Sequence, residues 1–503
     1  MQILNNSLLN NELIQEVNDS VVKDLPEKVI QFGQGNFMRG YIDWMIDEMN
    51  KQGLFNGKVV VVQPRSQGPT IPLLNEQDGL YTLILRGIQQ NSVVDKHEII
   101  TSISRGLNAI NEWDEVLKVA ESEELEFVFS NTTEAGIAYV KEDFNIGEPP
   151  SSYPGKLTAF LYHRFSTFNG SDNKGLIIVP CELVEDNGQK LKEIVRQKID
   201  DWHLPSEFAE WVEKHNYFCH TLVDRIVTGF PKDDLEYFHQ LLGYKDNFLT
   251  IGEPYHLFAI DADEVVREKL PLDKAGINVK WGDITPYREI KVRLLNGPHT
   301  LMFAVGYLAG VDTVQEVMQD EELLAFVERG FTEILPVVDG SEEEKNEFAK
   351  NVKERFLNPF TKHYLTDIGL NSINKFKTRL LPVIHRYLEQ QGSLPSGICF
   401  SFAALLHYYR PIRVEEQYLI GNRDGQEYKI QEDEKVLKLF LQEWEKVAHH
   451  QKTVRDFVVT ILAEEEIWGE DLNKIQDLAE TITFYVQEIL ANGMRMTVRN
   501  YLK

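Results

Sequence analysis

The sequence predicts an α/β fold class: an N-terminal domain built on a mostly parallel sheet, followed by a mostly α-helical C-terminal domain. Before about residue 285, short apolar runs alternate with helical patterns, and after it strand signals become sparse. A chain of 503 residues is also too long for one ordinary core. We therefore expect two domains, residues 1–285 and residues 286–503.

Four runs of the first part are predicted to be buried strands, because they are apolar on both parities and end in turn residues. They are residues 28–32 (KVIQF), 58–62 (KVVVV), 126–130 (EFVFS) and 175–179 (GLIIV). Between them, residues 41–54 and 110–120 repeat apolar side chains at helical intervals. Strands that alternate with helices are typical of crossover units, which make a sheet parallel.

Helical periods dominate the second part of the chain. They predict helices over residues 320–335, 342–356, 435–447, 454–467 and 472–490, with a helix around residue 291 at the start. The carboxylate runs at 342–344 and 464–466 are typical of solvated helix faces rather than of metal sites.

The charge and the apolar pattern argue against nucleic-acid and membrane partners. The formal net charge is −27, and no basic run is interleaved with aromatic residues, so a phosphate backbone would be repelled. No apolar run is long enough to cross a bilayer, and the N-terminal run MQILNNSLLNNELIQEV lacks the features of a signal peptide. We expect a cytoplasmic protein.

Cysteine and histidine spacing predicts no metal site. Cys181, Cys219 and Cys399 are far apart and odd in number, so we interpret them as buried thiols. The 13 histidines show neither HExxH nor HxH spacing.

A glycine-rich turn directly follows the first predicted strand. Such glycines permit a tight bend and a close backbone approach, and the next helix offers N–H groups to a pyrophosphate. Because Met38 replaces the third glycine of GxGxxG, an ordinary strand-to-helix turn is the alternative. We expect this turn to bind a dinucleotide; the candidate residues are Phe32, Gly33, Gln34, Gly35, Asn36, Phe37 and Arg39.

The end of the second predicted strand leaves the choice of nucleotide open. An NAD site usually places an acid here, on the adenosine ribose, whereas this chain reads Gln63-Pro64-Arg65. Gln63 could reach a ribose hydroxyl. Arg65 could accept the extra phosphate of NADP or could simply face solvent.

A polar loop follows the third predicted strand and includes Asn131, Thr132, Thr133 and Glu134. Loops at the carboxyl edge of an open α/β sheet bind ligands, so nicotinamide or substrate could lie beside these residues. A capped turn, with Thr132 or Thr133 serving the next segment, is the alternative. Residues 77–82 (QDGLYT) predict a hairpin turn first and a ligand contact second.

The run KVRLLNGPH at residues 291–299 brings together three groups that suit the reduction of a carbonyl. A lysine can shuttle a proton, an amide can donate to a developing alkoxide, and an imidazole can hold a hydroxyl. On an ideal α-helix Asn296 lies about 140° and His299 about 80° around from Lys291, so all three could border one cleft. An ordinary amphipathic helix is the alternative.

Five motifs in this order resemble those of the polyol-specific long-chain dehydrogenases, the mannitol dehydrogenase family. They are GxGxFxR at 33–39, QDGLYT at 77–82, SNTTEAG at 130–136, VDRI at 223–226 and KxxxxNxxH at 291–299. The resemblance covers nearly the whole chain. It implies an N-terminal Rossmann-type domain that binds NAD, a C-terminal helical domain with the substrate and catalytic residues, an active site between them, and no metal.

The resemblance also implies roles for individual residues. Lys291 would be the general acid and base, Asn296 an oxyanion donor and His299 the ligand of a substrate hydroxyl. Lys375 matches a substrate-binding lysine of the family. Asp224 of VDRI would lie near this network, with an ordinary ion pair to Arg225 as the alternative.

One position departs from the family pattern. Sugar-alcohol members carry an asparagine after the Cys-acid pair as a second oxyanion donor, where this chain has Leu183, and leucine cannot donate. Glu182 is therefore a further candidate for substrate contact, as is Glu134. Helix capping or ion pairing is the alternative for Glu182.

Further motifs (PCEL, RFLNP and NKFKTRLLP) are most similar to those of family members that act on hexuronates. A hexuronate carries a carboxylate, and Lys375, Lys377 and Arg379 offer cations in an acidic chain. A helix face paired with surface acids is the alternative for these cations.

The resemblance implies reversible, NADH-dependent reduction of D-tagaturonate to D-altronate in hexuronate catabolism. Fructuronate reduction and a mannitol dehydrogenase-type polyol reaction stay open, as does a non-catalytic nucleotide-sensing role. The sequence leaves the oligomeric state undetermined.

Overall fold

The computed structural model describes residues 1–9, 24–64 and 68–503. These residues form two compact units: Met1–Gly87 with Val93–Ile284, and Ile88–Ser92 with Thr285–Lys503. We call them unit 1 and unit 2. In the described part of the chain, no helix combines the length and the apolar character that a membrane span requires.

The strands of the first 284 residues are, in chain order, β1 (Glu27–Phe32), β2 (Lys58–Gln63), β3 (Tyr81–Gln89), β4 (Ser92–Ile100), β5 (Ile103–Asn108), β6 (Phe127–Ser130), β7 (Ile177–Pro180), β8 (Tyr217–Phe218), β9 (His220–Asp224), β10 (Val227–Gly229), β11 (Thr250–Gly252), β12 (Leu257–Asp261) and β13 (Val279–Trp281). Six of them form one sheet in the order β5-β2-β1-β6-β7-β8, and all its pairs are parallel. This order is that of a Rossmann fold, and the predicted fold class is confirmed.

Register places the carboxyl ends of the central strands side by side. Phe32 at the end of β1 is opposite Val62 on one side and Ser130 on the other, and Ser130 is opposite Pro180. Strand order reverses at β1, because β2 and β5 lie on one side and β6, β7 and β8 on the other. Open α/β sheets bind ligands at such a switch point.

Alternate side chains of these strands enter two separate apolar layers. Val29, Val59 and Phe127 belong to one buried cluster, and their sequence neighbours Ile30 and Val60 belong to another. A strand that buries both faces is apolar on both parities, which is why these strands were predictable.

The helical segments of unit 1 cover the sheets. They are Asn6–Leu9, Asn36–Met38, Arg39–Asp43 (π-helical), Trp44–Lys51, Thr70–Glu76, Trp113–Ala120, Glu134–Gly136 (3₁₀), Tyr153–Thr167, Asp172–Lys174 (3₁₀), Asn187–Asp201, Ser206–His215, Leu235–Leu242, Glu264–Lys269 and Asp273–Ala275 (3₁₀).

Two smaller sheets, β10-β11-β3-β4 and β13-β12-β9, include antiparallel pairs that the sequence did not predict. The prediction of a hairpin turn at residues 77–82 is wrong. Residues 77–80 join the helix Thr70–Glu76 to β3, and the segment 70–76 is helical rather than a strand because Ile71 and Leu74 bury one face of it.

Unit 2 is mostly helical, as predicted. Its helical segments are Thr285–Lys291, Val292–Asn296 (π-helical), Gly297–Leu308, Val314–Gln319, Glu321–Ile334, Leu335–Val337 (3₁₀), Glu342–Phe356, Leu365–Gly369, Ser372–Arg379, Leu381–Gln391, Ser396–Tyr408, Glu434–Ala448, Val454–Leu462, Glu465–Trp468, Leu472–Lys474 (3₁₀), Leu478–Asn492 and Met494–Leu502.

Two buried helices form the centre of unit 2. All residues of Gly297–Leu308 are buried, and this helix packs on Ser396–Tyr408, which is buried at nearly every position. A helix that is apolar all round is stable only inside a core. Three short antiparallel strands, β14 (Arg413–Glu415), β15 (Tyr418–Arg423) and β16 (Gln426–Ile430), add a small sheet.

Candidate functional site

The turn after β1 can be built only with glycine at position 33. Gly33 has a φ of 125°, and a Cβ there would lie 2.7 Å from the carbonyl oxygen of Asn131. The Gly33 N–H donates to the Val62 carbonyl at 2.9 Å, and the Asn131 N–H donates to the Phe32 carbonyl at 3.1 Å. The loops that follow β1 and β6 are therefore held against each other.

Gly35 has the opposite surroundings. A Cβ at this position would meet no heavy atom within 4 Å, and the backbone is extended, with φ −66° and ψ 162°. The next helical turn begins at Asn36, and the first N–H groups of a helix have no partner inside the helix. Open space beside such N–H groups fits the pyrophosphate of a dinucleotide.

Arg39 braces this loop from a buried position. Its guanidinium donates to the carbonyl of Gln34, to Oδ1 of Asn36, and to Oγ1 of Thr250 at 3.1 Å. Burial lowers the pKa of Arg39. All three guanidinium nitrogens bind the protein, so Arg39 positions the loop.

The aromatic candidates of the loop serve packing. Phe32 is fully buried, with its ring centroid 5.3 Å from Tyr153 and 6.2 Å from Phe160. The ring of Phe37 stacks on Tyr41 at 4.9 Å. Gln34 and Asn36, by contrast, are half-buried and Gly35 is exposed.

Glu182 ties the loop after β6 to the end of β7. Its Oε1 accepts hydrogen bonds from the N–H and the hydroxyl of Thr132, both at 2.9 Å, and its Oε2 accepts from Ser130 Oγ at 3.0 Å. Burial outweighs these bonds and raises the pKa of Glu182. The side-chain amide of Asn131 donates to the Cys181 carbonyl at 2.9 Å, which adds a second tie.

Leu183, which takes the place of the family asparagine, is 60% exposed. Glu134 begins the short 3₁₀ turn Glu134–Gly136. The structure does not describe its side chain, so the predicted contact with substrate is not tested.

Asp224 is buried at the end of β9, opposite Leu257 on β12. Its neighbour Arg225 donates to the carbonyls of Glu253 and Gly40.

Gln63 is buried at the carboxyl end of β2, next to β1, and its carbonyl accepts from the Ala109 N–H at 2.9 Å. Arg65 lies outside the described residues, so the structure does not test its predicted contact with a nucleotide.

In unit 2, a π-helical segment separates Lys291 from His299. Lys291 ends one α-helix, Asn296 ends the π-helical segment Val292–Asn296, and His299 lies in the next helix. A π-helix closes i→i+5 hydrogen bonds, so residues five apart lie about one turn apart. The ideal-helix angle of about 140° therefore does not apply, and Asn296 lies near the face that carries Lys291.

His299 is buried in a cationic environment. It is 8% exposed, and its ring centroid lies 4.4 Å from Phe356 and 4.7 Å from His363. Burial, and then the charges of His363, Arg355 and Arg379, lower its pKa well below the usual value. At neutral pH the ring is uncharged, so one nitrogen can accept a hydrogen bond from a hydroxyl.

Lys375 and Arg379 lie four residues apart on one face of the helix Ser372–Arg379. Lys375 Nζ donates to the carbonyls of Ile368 at 3.0 Å and Asp367 at 3.5 Å, and Arg379 Nη1 donates to Thr300 Oγ1 at 3.1 Å. Burial lowers the pKa of both cations. Among the described residues, no carboxylate forms an ion pair with either of them.

Arg379 also approaches the π-helical segment. Its Nη1 lies 3.5 Å from the carbonyl oxygen of Asn296, which accepts from Thr300 Oγ1 at 3.1 Å as well. Asn296, His299, Lys375 and Arg379 are therefore brought together in unit 2. Lys377 faces elsewhere, since its Nζ lies 3.5 Å from a Cβ built on Gly469.

Three residues of this cluster were not among the predicted site residues. Arg293 donates to the carbonyls of Thr378 and Arg379 at 2.6 and 2.8 Å, which ties the helical segments of the site together. The charges of Arg355 and His363 both lower the pKa of His299. Arg355 lies in the quoted RFLNP motif, whereas no motif contained His363.

The described residues contain no group of three or more His, Cys, Asp or Glu side chains that could hold a metal ion. Cys181, Cys219 and Cys399 are buried free thiols, as predicted.

Family models match both parts of the chain. The mannitol dehydrogenase Rossmann domain matches residues 27–274, and the mannitol dehydrogenase C-terminal domain matches residues 283–490. Altronate oxidoreductase of Halalkalibacterium halodurans is 49% identical over 95% of this chain and 94% of its own length. Altronate oxidoreductase of Bacillus subtilis is 42% identical over 95% of each chain.

Two solved structures share the fold. D-sorbitol dehydrogenase in substrate-free form superposes with a TM-score of 0.80 at 18% identity, over 99% of this chain and 100% of that one. Mannitol 2-dehydrogenase of Pseudomonas fluorescens, in ternary complex with NAD and D-mannitol, gives 0.67 at 21% identity over 96% of each chain. The chain belongs to the mannitol dehydrogenase family, which confirms the family and the oxidoreductase class predicted from its motifs.

Proposed function

We propose that this protein is an NAD-dependent oxidoreductase that interconverts D-tagaturonate and D-altronate, with reduction of the ketone by NADH as the forward reaction. The carrying observation is the pair of half-buried cations, Lys375 and Arg379, for which no described carboxylate is an ion-pair partner. In a chain of net charge −27, such cations suit an anionic substrate.

The loop after β1 supports NAD as the cofactor. Gly33 permits the turn, Gly35 leaves open space, and Arg39 fixes the loop from its buried side. Gln34, Asn36, Asn131 and Thr132, with Gln63 and Arg65 at the next strand, are the side chains that we propose to contact the dinucleotide. Bound NADH would supply the hydride.

Unit 2 supplies the polar groups for the sugar acid. Lys291 gives a proton to the ketone oxygen during reduction and takes it back during oxidation. Asn296 donates its side-chain amide to the same oxygen, and neutral His299 accepts a hydrogen bond from a substrate hydroxyl. Arg379 and Lys375 hold the carboxylate.

The hydrogen bonds of Glu182 in unit 1 support a positioning role for this residue. Glu182 fixes the backbone of Thr132, and we propose that it positions this loop rather than contacting substrate. Asp224 and Glu134 remain candidates for substrate contact.

The substrate assignment agrees with the names of the relatives, which are altronate oxidoreductases at 42–49% identity. A carboxylate also separates a hexuronate from the neutral polyols. Three buried free thiols suit a reducing compartment, so we propose the cytoplasm as the location.

The direct test follows NADH absorbance with D-tagaturonate, D-fructuronate and D-fructose as substrates. We expect the highest kcat/KM with D-tagaturonate. Preference for fructuronate or fructose would replace the substrate assignment, and no turnover with any of the three would favour a nucleotide-sensing role.

The proposed role of Lys291 predicts a severe loss in Lys291→Ala. Turnover should fall by about 100-fold or more, because general acid and base catalysis contributes on that scale. NADH binding, measured by fluorescence titration, should be unchanged. Lys377→Ala is the matched control, since Lys377 faces Gly469, and full turnover in Lys291→Ala would refute the role.

A further inference from the structure

His363 lies on a backbone segment that is fixed at both ends. Its carbonyl accepts from the Val314 N–H at 3.0 Å, and the Leu365 N–H donates to the Asp312 carbonyl at 2.8 Å. Thr313 and Tyr364 form an isolated antiparallel bridge between these two segments. The position of the imidazole is thus set by hydrogen-bonded backbone, as a preorganised binding residue requires.

The ring is close to two groups of the proposed substrate site. Its centroid is 4.7 Å from that of His299, at an interplanar angle of 65°, and the charge of Lys375 acts on the imidazole. The ring is half-buried, yet its nitrogens make no hydrogen bond and no ion pair to any residue that the structure describes. An imidazole whose nitrogens have no protein partner is available to bind a ligand.

Three side chains of the proposed substrate site have hydrogen-bond donors that a single anionic acceptor could bind. Lys375 and Arg379 bind only neutral oxygens, and His363 binds none among the described residues. A carboxylate has two oxygens and only accepts hydrogen bonds, so one carboxylate can satisfy an ammonium, a guanidinium and an imidazole N–H together. A hydroxyl could satisfy fewer of them.

The imidazole is in the right state for this contact. Burial lowers the pKa of His363; the carboxylate of Asp367 opposes this effect, and the charge of Lys375 adds to it. At neutral pH the ring is therefore uncharged and carries one N–H donor.

We propose that His363 determines specificity for a sugar acid, because its ring N–H donates a hydrogen bond to the substrate carboxylate beside Lys375 and Arg379. This inference rests on the proposed function and adds a residue that neither the motifs nor the family resemblance indicated. The acid end of the substrate would then lie next to the group held by His299.

The test compares the wild type with His363→Leu, His363→Gln and the surface control His385→Gln, whose side chain pairs with Glu470 at 2.8 Å. In His363→Leu the KM for D-altronate should rise about 10- to 100-fold, the effect of losing one hydrogen bond to a charged group. The kcat and the KM for NAD should stay within about twofold. His363→Gln keeps an N–H donor and should recover part of the loss.

A neutral competitor separates a carboxylate contact from a change of shape. The alditol that corresponds to D-altronate lacks the carboxylate, and its inhibition constant should be the same in the wild type and in His363→Leu. An equal rise in that constant would overturn the inference, as would an unchanged KM for D-altronate. Melting temperature and NADH binding show whether each variant is folded. If His363→Leu does not fold, the same measurements on His363→Gln decide the inference.

The wild-type arm tests the proposed function by itself. If the wild type does not oxidise D-altronate, the proposed function and this inference fail together. If it does and His363→Leu keeps the wild-type KM, only the inference fails.

Discussion

Gly33 and Gly35 are two positions apart in one turn, but they serve different purposes. Gly33 has a backbone conformation that a Cβ would strain, and that Cβ would meet the Asn131 carbonyl at 2.7 Å. Gly35 has ordinary extended dihedrals and open space around it. One glycine is needed for the fold, and we expect the other to be needed for the ligand.

Alanine at each position should separate these needs. Gly33→Ala should lower the free energy of unfolding by about 1–3 kcal/mol, the scale of local backbone strain. Gly35→Ala should change it by less than about 0.5 kcal/mol, yet weaken NADH binding at least about tenfold, because a methyl group would occupy the space proposed for the pyrophosphate.

Denaturant unfolding without nucleotide and fluorescence titration with NADH measure the two effects. Wild-type NADH affinity in Gly35→Ala would show that this turn does not bind the phosphates. Unchanged stability in Gly33→Ala would contradict the strain argument.

At the scale of single residues, charge alone grouped Lys375, Lys377 and Arg379. In the structure Lys375 and Arg379, four residues apart, share a helix face, and Lys377 faces elsewhere. His363 could not be predicted, because its position depends on a bridge to residue 313, 50 positions earlier. The donors that bind the Glu182 carboxylate depend in the same way on the strand register of β6 and β7.

At the scale of elements, one loop of unit 1 is fastened to a helix by a buried ion pair. Glu142 is 8% exposed, and it accepts from Lys198 Nζ at 2.8 Å and from the Ser151 N–H at 2.6 Å. Lys198 is fully buried in the helix Asn187–Asp201. The loop before the helix Tyr153–Thr167 is thereby held in place.

Glu142→Gln should lower the free energy of unfolding at pH 7 by about 2–4 kcal/mol, because it leaves the buried Lys198 ammonium without its counter-charge. The exposed pair of Lys192 and Glu213, 2.8 Å apart, provides the control. Glu213→Gln should cost less than about 1 kcal/mol. Equal effects of the two substitutions in denaturant unfolding would contradict the role of burial.

The pH dependence of this effect has a definite sign. Burial raises the pKa of Glu142, but hydrogen bonds from Lys198, Ser151 and Ser152 outweigh burial and lower it to about 2. Stability from a carboxylate with a lowered pKa is present above its unfolded value of 4.5 and is lost as pH falls toward 2. The stability difference between wild type and Glu142→Gln should therefore be constant from pH 7 to about 5 and shrink below that.

The elements themselves were predictable to different degrees. Parallel strands buried on both faces have a strong signature, and the predicted runs 28–32 and 58–62 match β1 and β2 to within one residue. The π-helical segments Arg39–Asp43 and Val292–Asn296 were not predicted, because one extra residue shifts the helical period within a single turn, a stretch too short for an apolar pattern to reveal. Both segments lie beside candidate site residues.

At the scale of the whole molecule, the chain combines a strongly negative net charge with a local group of cations. The total of −27 opposes the approach of any anion, while Arg355, Lys375 and Arg379 gather around His299 and His363. Average composition predicts no nucleic-acid partner, but it could not locate the cations, because their grouping depends on the tertiary structure of unit 2. The proposed binding of an anionic substrate would therefore depend on this local group of cations and would occur against the negative charge of the rest of the chain.

The proposed division of labour between the two units predicts where each ligand protects the backbone from hydrogen exchange. NADH alone should slow exchange at residues 33–39 and 131–133, because the bound dinucleotide would cover both loops and stabilise them against local opening. Adding D-altronate to the NADH complex, a pair that cannot react because both are reduced, should extend protection to residues 291–299 and 363–379. Gly35→Ala supplies the control, since it should keep the exchange pattern of the ligand-free protein and lose the first protection at the same NADH concentration. If NADH leaves residues 33–39 unprotected in a wild type that turns over, the dinucleotide must bind elsewhere, and the assignment of unit 1 is wrong.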